Sequence, residues 1–228
     1  MTPQWLLIDA DDTLWDNNVA FERVIDRFLQ LVEHPSLSAP QARALLDDVE
    51  RAHLATRGYG CEAFGLNLQD AYLALAGAAA SRAALSELAT LAAGIREHPL
   101  VLIEGVRDTL EYLASRHRLV LFTKGEPAEQ SGKLARSGLA AFFGETRVVR
   151  EKDVATYRMA VAELGAPVHE TWMVGNSPRS DINPALSAGL RAVWIPHPDT
   201  WRLEHEEVRR DAAGLLVLER FSELRLHF

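Results

Sequence analysis

A chain of 228 residues can bury one sizeable core, or a core and a small accessory domain, and is too short for a large multidomain machine. With 48% hydrophobic and 25% charged residues it is not wholesale disordered, and no apolar run reaches the length of a membrane span. The formal charge of −8 argues against nucleic acid as the main partner, and a lone cysteine, Cys61, leaves no internal disulfide or cysteine-based metal cluster and fits a reducing compartment.

Met1-Thr2-Pro3-Gln4 leads directly into an apolar run, without the basic patch and apolar stretch of a signal peptide, so a cytoplasmic location is expected. Trp5 to Ile8 reads as a short buried strand. From Trp15 to Pro99 only helical patterns follow. Phe21, Val24, Ile25, Phe28 and Val32 recur at helical spacing, and Ser38 with Gln41 makes a capping-box pattern beside Pro40, opening a helix toward Gly58. Asn67 with Asp70 is expected to open a third helix, and the Ala-rich stretch from Ser81 to Ala93 to form a fourth. From Leu100 strands and helices alternate. Helices are expected over 107–115, 128–137, 155–164 and 183–188, and strands over 119–122, 147–149, 171–174 and 192–195, with 215–218 as one more near an edge. This alternation predicts an α/β fold, a Rossmann-like parallel sheet with helices on both faces. The expected division is an α/β core of residues 1–14 and 100–228 with a helical bundle, 15–99, inserted after the first strand.

Acidic residues at the exit of a buried strand lie where open parallel sheets bind ligands. Asp9-Ala10-Asp11-Asp12-Thr13 is such a cluster. Burying carboxylates there is costly unless a cation, a positive partner or hydrogen bonds compensate, so the cluster suggests a metal or phosphate site. Three further signals stand at later strand exits: Phe122-Thr123-Lys124-Gly125, Lys152 after Val148-Val149-Arg150-Glu151, and Val174-Gly175-Asn176-Ser177-Pro178-Arg179-Ser180-Asp181. Taken singly each has a plainer reading. The acids can form a turn that caps a helix, Thr123 can be an ordinary strand-terminal threonine, and Asn176 with Asp181 can be a polar loop.

The ordered set, with the insertion after the first motif, resembles the haloacid dehalogenase superfamily of aspartate-nucleophile phosphohydrolases over nearly the whole chain. The resemblance implies a helical C1-type cap over residues 15–99. It implies that Asp9 is the nucleophile, forming an aspartyl-phosphate, and that Asp11 is the general acid and base. Thr123 and the following N–H groups, loosened by Gly125, would hold a phosphate oxygen, and Lys152 would hold nucleophile and phosphate together. Mg²⁺ would be bound by Asp9, the Asp11 carbonyl and a fourth-motif oxygen from Asn176 or Asp181. The sequence departs from the family pattern in having Asn176 where an aspartate is usual, which predicts weaker metal binding, and Asp153 where proline often follows the lysine.

The chain has three lysines, Lys124, Lys133 and Lys152. Lys124 can contact the anion or be a solvated turn residue, and mid-helix Lys133 reads as a surface charge. Trp15, Asn17 and Asn18 are expected at the mouth of the site, with Trp15 and Asn18 as substrate contacts, and Tyr59, Cys61 and Phe64 in a break between cap helices. Asp11 favours phosphate esters over carbon–halogen bonds, since a halide leaves without a proton. The expected activity is Mg²⁺-dependent hydrolysis of a small phosphorylated metabolite. The alternatives are a haloacid dehalogenase-type hydrolase and a catalytically weak phosphate-binding protein with Asn176 as the cause.

Overall fold

The computed structural model describes residues 2–32 and 37–228. The chain divides into two compact units, one of Met1–Asn17 with Leu100–Phe228, the other Asn18–Pro99. The first strand, β1 (Trp5–Ile8), is followed by the four helices of the second unit: α1 (Asn18–Leu31), α2 (Ala39–Arg57), α3 (Cys61–Ala76) and α4 (Arg82–Gly94). Their apolar stripes meet in one core of Val24, Ile25 and Phe28 from α1, Leu46 from α2, Leu68 and Tyr72 from α3, and Leu88 from α4. The Gln41 side chain accepts from the Ser38 N–H at 2.9 Å, the reciprocal half of a capping box.

The third helix starts six residues earlier than its sequence suggests. Asn67 is buried in mid-helix and takes a hydrogen bond from Arg57 Nη1 at 2.8 Å, so its side chain is occupied across the bundle and caps nothing. Cys61 and Phe64 are accordingly helical and buried, not part of a break between helices.

The other unit continues with α5 (Val106–Ala114), β2 (Arg118–Lys124), α6 (Pro127–Ser137), β3 (Glu145–Val149), α7 (Val154–Leu164), β4 (Thr171–Gly175), α8 (Asn183–Ala188), β5 (Arg191–Trp194) and β6 (Leu215–Val217). Among the described residues six strands form one parallel sheet, in the order β3-β2-β1-β4-β5-β6. Leu6 and Ile8 of β1 face α5 and α6 through Val106, Leu110, Leu113 and Leu134. Leu7, on the opposite face, meets Tyr157, Ala160 and Val161 of α7 and Ala185 of α8. Burial on both faces is why the central strands read as continuous apolar runs. Glu126 caps α6 by accepting from the N–H groups of Ala128 and Glu129. Asp153, which stands where the family often has proline, caps α7 by accepting from Thr156 at 2.7 Å.

The strand order has one functional consequence. From β1 the chain builds outward through β2 and β3, then crosses back to β4 and builds the other way. The crevice beyond the carboxyl ends of β1 and β4 is therefore the topological switch point, where such sheets bind ligands. Among the described residues no helix is long and apolar enough to cross a membrane.

Candidate active site

Asp9 follows β1, and its N–H donates to the Val174 carbonyl of β4 at 2.9 Å, which fixes it at the switch point. The chain then turns sharply. Asp12 takes φ 57°, a left-handed conformation that aspartate tolerates, and its Oδ1 accepts from the Asn17 N–H at 2.8 Å. Asp12 does the turn-stabilising work, leaving Asp9 and Asp11 for other roles.

Lys152, in the loop between β3 and α7, is 3% exposed and reaches across 143 positions to Asp9 Oδ1. Its Nζ also donates to Asp181 Oδ1 at 2.7 Å. Burial would lower the Lys152 ammonium, but the charges of Asp181 and Asp9 outweigh it and hold it above its ordinary value. Two carboxylates share this one lysine. Burial and the charge of Asp181 push the Asp9 carboxyl up from 3.8 to about 7, against the opposing pull of Lys152.

Asp181 lies in a wide helical turn, Pro178–Ile182, and its Oδ2 accepts from the Ser177 N–H at 2.9 Å. Gly175 makes this placement possible, since a Cβ there would lie 2.2 Å from Asp181 Oδ2. Asn176 is aimed from two sides. Its Nδ2 donates to Thr200 Oγ1 at 2.8 Å, and its Oδ1 accepts from Thr13 Oγ1 at 3.3 Å. The same Thr13 hydroxyl lies 3.1 Å from Asp9 Oδ2, so the Asn176 and Asp9 oxygens converge on one spot. Thr200 was not legible as a contributor, because its loop carries no motif.

Oxygen-only donors suit Mg²⁺, which keeps several waters and needs few protein ligands. Among the described residues no three His, Cys, Asp or Glu side chains converge as a metal cluster. Asp9 Oδ2 and Asn176 Oδ1, which share the neutral Thr13 hydroxyl, fit such an ion in chemistry, whereas the Asp181 oxygens are engaged by the Lys152 ammonium and the Ser177 N–H.

The other two lysines are not where the sequence alone places them. Lys133 is no surface charge: its Nζ donates to both Asp11 oxygens at 2.9 Å and to Asn17 Oδ1 at 2.7 Å. Gln130 Nε2 adds a bond to Asp11 Oδ2 at 2.8 Å, and Trp15 Nε1 one to Oδ1 at 2.7 Å. Burial alone would raise the Asp11 carboxyl, but Lys133, Gln130 and Trp15 together hold it below its ordinary value. Trp15, expected at the mouth of the site, is 1% exposed, with its ring in the core and its N–H on Asp11. Residues 14–16 run beside 101–103, with Ile103 N–H donating to the Leu14 carbonyl and Asp16 N–H to the Val101 carbonyl, and this anchors the tryptophan.

Lys124 is not a solvated turn residue. It pairs with Glu204 Oε1 at 2.5 Å and donates to Ser180 Oγ at 2.7 Å. Burial would raise the Glu204 carboxyl, but Lys124 and the Ser177 hydroxyl hold it down. Thr123 is 1% exposed at the end of β2, beside β1, with Ile8 in register with Leu121. Gly125 adopts φ 145°, and a Cβ there would sit 2.8 Å from Gln130 Nε2, so this glycine makes room for the glutamine that reaches Asp11. Asn18 opens α1 in the helical unit, where its amide lies 3.4 Å from Glu22 Oε1.

Residues 4–189 match the model of the family described as haloacid dehalogenase-like hydrolase. Phosphoserine phosphatase of Thermus thermophilus is 37% identical over 82 residues, 34% of this chain and 33% of that protein. The chain thus matches only a third of that relative's length. Along nearly the whole chain, 25% identity over 234 residues relates it to the 5-amino-6-(5-phospho-D-ribitylamino)uracil phosphatase YigB of Escherichia coli, covering 91% of this chain and 93% of that one. Among solved structures, a haloacid dehalogenase-like family hydrolase of Xanthomonas campestris superposes with a TM-score of 0.85 at 24% identity, covering 99% of this chain and 94% of that one. The hydrolase YfnB of Bacillus subtilis, bound to magnesium, gives 0.69 at 21% identity, covering 100% and 99%. These two likenesses concern the fold.

Proposed function

The chain belongs to the haloacid dehalogenase-like hydrolases, and we propose that it hydrolyses the phosphate monoester of a small metabolite through an aspartyl-phosphate on Asp9. The observation that carries this reading is the buried bridge from Lys152 to Asp9 and Asp181 at the switch point, with a second carboxylate, Asp11, held two residues from the nucleophile. The matched relatives named for phosphatase activity support the same reaction class.

A phosphate ester repels an attacking carboxylate, so catalysis rests on positioning and on neutralising charge. Asp9 Oδ1 attacks phosphorus and the bond to the leaving oxygen breaks. Lys152 offsets the charge that gathers on Asp9 and the transferred group. Thr123 and the N–H groups after it bind a phosphate oxygen. Asp11 gives its proton to the leaving oxygen, and its conjugate base then takes a proton from the water that cleaves the aspartyl-phosphate. The four bonds that Asp11 accepts stabilise the carboxylate form, so its acid form must exchange one of these donors for the leaving oxygen. Mg²⁺, held by Asp9 Oδ2, Asn176 Oδ1 and the Asp11 carbonyl, would supply positive charge to the phosphoryl oxygens.

Hydrolysis of p-nitrophenyl phosphate and of a panel of phosphorylated metabolites, with Mg²⁺ and with EDTA, tests the proposal. We expect Mg²⁺-dependent turnover that Asp9→Asn abolishes. Activity that survives in Asp9→Asn would sink the nucleophile assignment. Chloride release from 2-chloropropionate without phosphate release would instead favour the dehalogenase reading, and metal binding without any turnover the phosphate-binding one.

A further inference from the structure

We propose that Gln130 and Lys133 form a clamp on α6 that positions Asp11 for proton transfer, an inference that rests on the acid and base role given to Asp11 above. Gln130 and Lys133 are three residues apart and so lie on one face of the helix, which is anchored in the core by Leu134. With the Trp15 indole they make four hydrogen bonds from three donor groups to the two Asp11 oxygens, Oδ1 taking Trp15 and Lys133 and Oδ2 taking Gln130 and Lys133. An ionised carboxylate has about four lone-pair sites, so the clamp fixes its rotation as well as its position.

Gln130 shows that this arrangement takes precedence over local satisfaction. Its Nε2 donates both to Asp11 and, at 3.2 Å, to the Lys124 carbonyl, while its buried Oε1 has no hydrogen-bond partner. A buried orphan acceptor is costly and calls for a reason. Here the amide's orientation is dictated by the carboxylate it serves. Lys133 is similarly committed, with contacts to both Asp11 oxygens and to Asn17. The clamp reaches Asp11 across 119 and 122 sequence positions. It acts through Asp11, so these are positioning residues.

Such a clamp matters most when the leaving oxygen needs a proton. Loss of a positioned general acid costs alkyl esters far more than esters whose leaving group departs as a stable anion. The test compares kcat for glycerol 2-phosphate with kcat for p-nitrophenyl phosphate. Lys133→Met is expected to lower kcat roughly 30-fold on the alkyl ester and no more than about threefold on the aryl ester, with KM changed less than about twofold. Lys133→Arg recovers part of the alkyl activity. Gln130→Leu gives the same selectivity at smaller amplitude and serves as the second variant should Lys133→Met fail to fold. In an Asp11→Asn background, Lys133→Met causes no further selective loss, because its route of action is gone.

Equal losses on both esters, no loss on the alkyl ester, or a further selective loss in the Asp11→Asn background would overturn the clamp. If Asp11→Asn itself shows no selective loss on the alkyl ester, the fault lies with the role assigned to Asp11 under the proposed function. If Asp11→Asn is selective and neither clamp variant is, the clamp alone fails.

Discussion

Asp9→Asn isolates the energetic cost of the setting of the proposed nucleophile. In the metal-free protein Asp9 and Asp181 share one buried lysine, and burial with the Asp181 charge lifts the Asp9 carboxyl from 3.8 to about 7. A value raised in the folded state means that the folded chain binds more protons than the unfolded chain between those limits. Stability contributed by protonated Asp9 is therefore complete below about pH 4 and is lost as pH rises toward about 7. At ~1.4 kcal/mol for each tenfold change in proton affinity, the rise from 3.8 to about 7 corresponds to about 4 kcal/mol above pH 7. Asparagine keeps the shape and an oxygen for Lys152, and leaves Lys152 paired one-to-one with Asp181. Urea unfolding in EDTA should find Asp9→Asn more stable than the parent at pH 8 by about 1–4 kcal/mol, the low end reflecting an amide that packs and hydrogen-bonds less well there than a protonated carboxyl. The difference should shrink toward pH 4, and Mg²⁺ should stabilise the parent at pH 8 more than the variant. Equal or lower stability of Asp9→Asn at pH 8, or a gap that widens as pH falls, would refute the reasoning.

Two further substitutions probe the fourth motif. Asn176→Asp puts a carboxylate where the amide oxygen meets the Thr13 hydroxyl and Asp9, and gives up the amide bond to Thr200. Isothermal titration should show Mg²⁺ affinity rising about tenfold, or ~1.4 kcal/mol, while metal-free stability falls; an unchanged affinity would remove Asn176 from the ion's ligands. Gly175→Ala drives a methyl into Asp181, 2.2 Å from Oδ2 and 2.4 Å from Cγ, and must break its bonds to Lys152 and Ser177. Denaturant midpoints should report a loss of about 3–5 kcal/mol, partly restored by adding Asp181→Gly, which removes every clashing atom including the Cβ at 2.8 Å; a loss that Asp181→Gly does not reduce would place the strain elsewhere.

The sequence by itself determined the architecture and the acids of the site. Continuous apolar runs exist because the strands are covered on both faces, and that periodicity needs no tertiary information to be read. Carboxylates at a strand exit are legible for a similar reason, since the strand's end is where a parallel sheet presents its ligands. The insertion showed as a block of helical spacing between the first strand and the βα alternation. Only the tertiary structure decided what each charge meets. Periodicity tells that Lys133 lies on one face of a helix, but not that the face meets Asp11, a residue 122 positions away. Glu204 came from a loop without a motif to engage Lys124 over 80 positions, and Thr200 came from the same loop to aim Asn176. Gly125 and Gly175 read as loop glycines in the sequence, yet each leaves the space of a missing Cβ to one distant side chain, Gln130 or Asp181. Local spacing sets which groups a segment presents, whereas the pairing of buried charges depends on which segments the fold brings within a few ångströms.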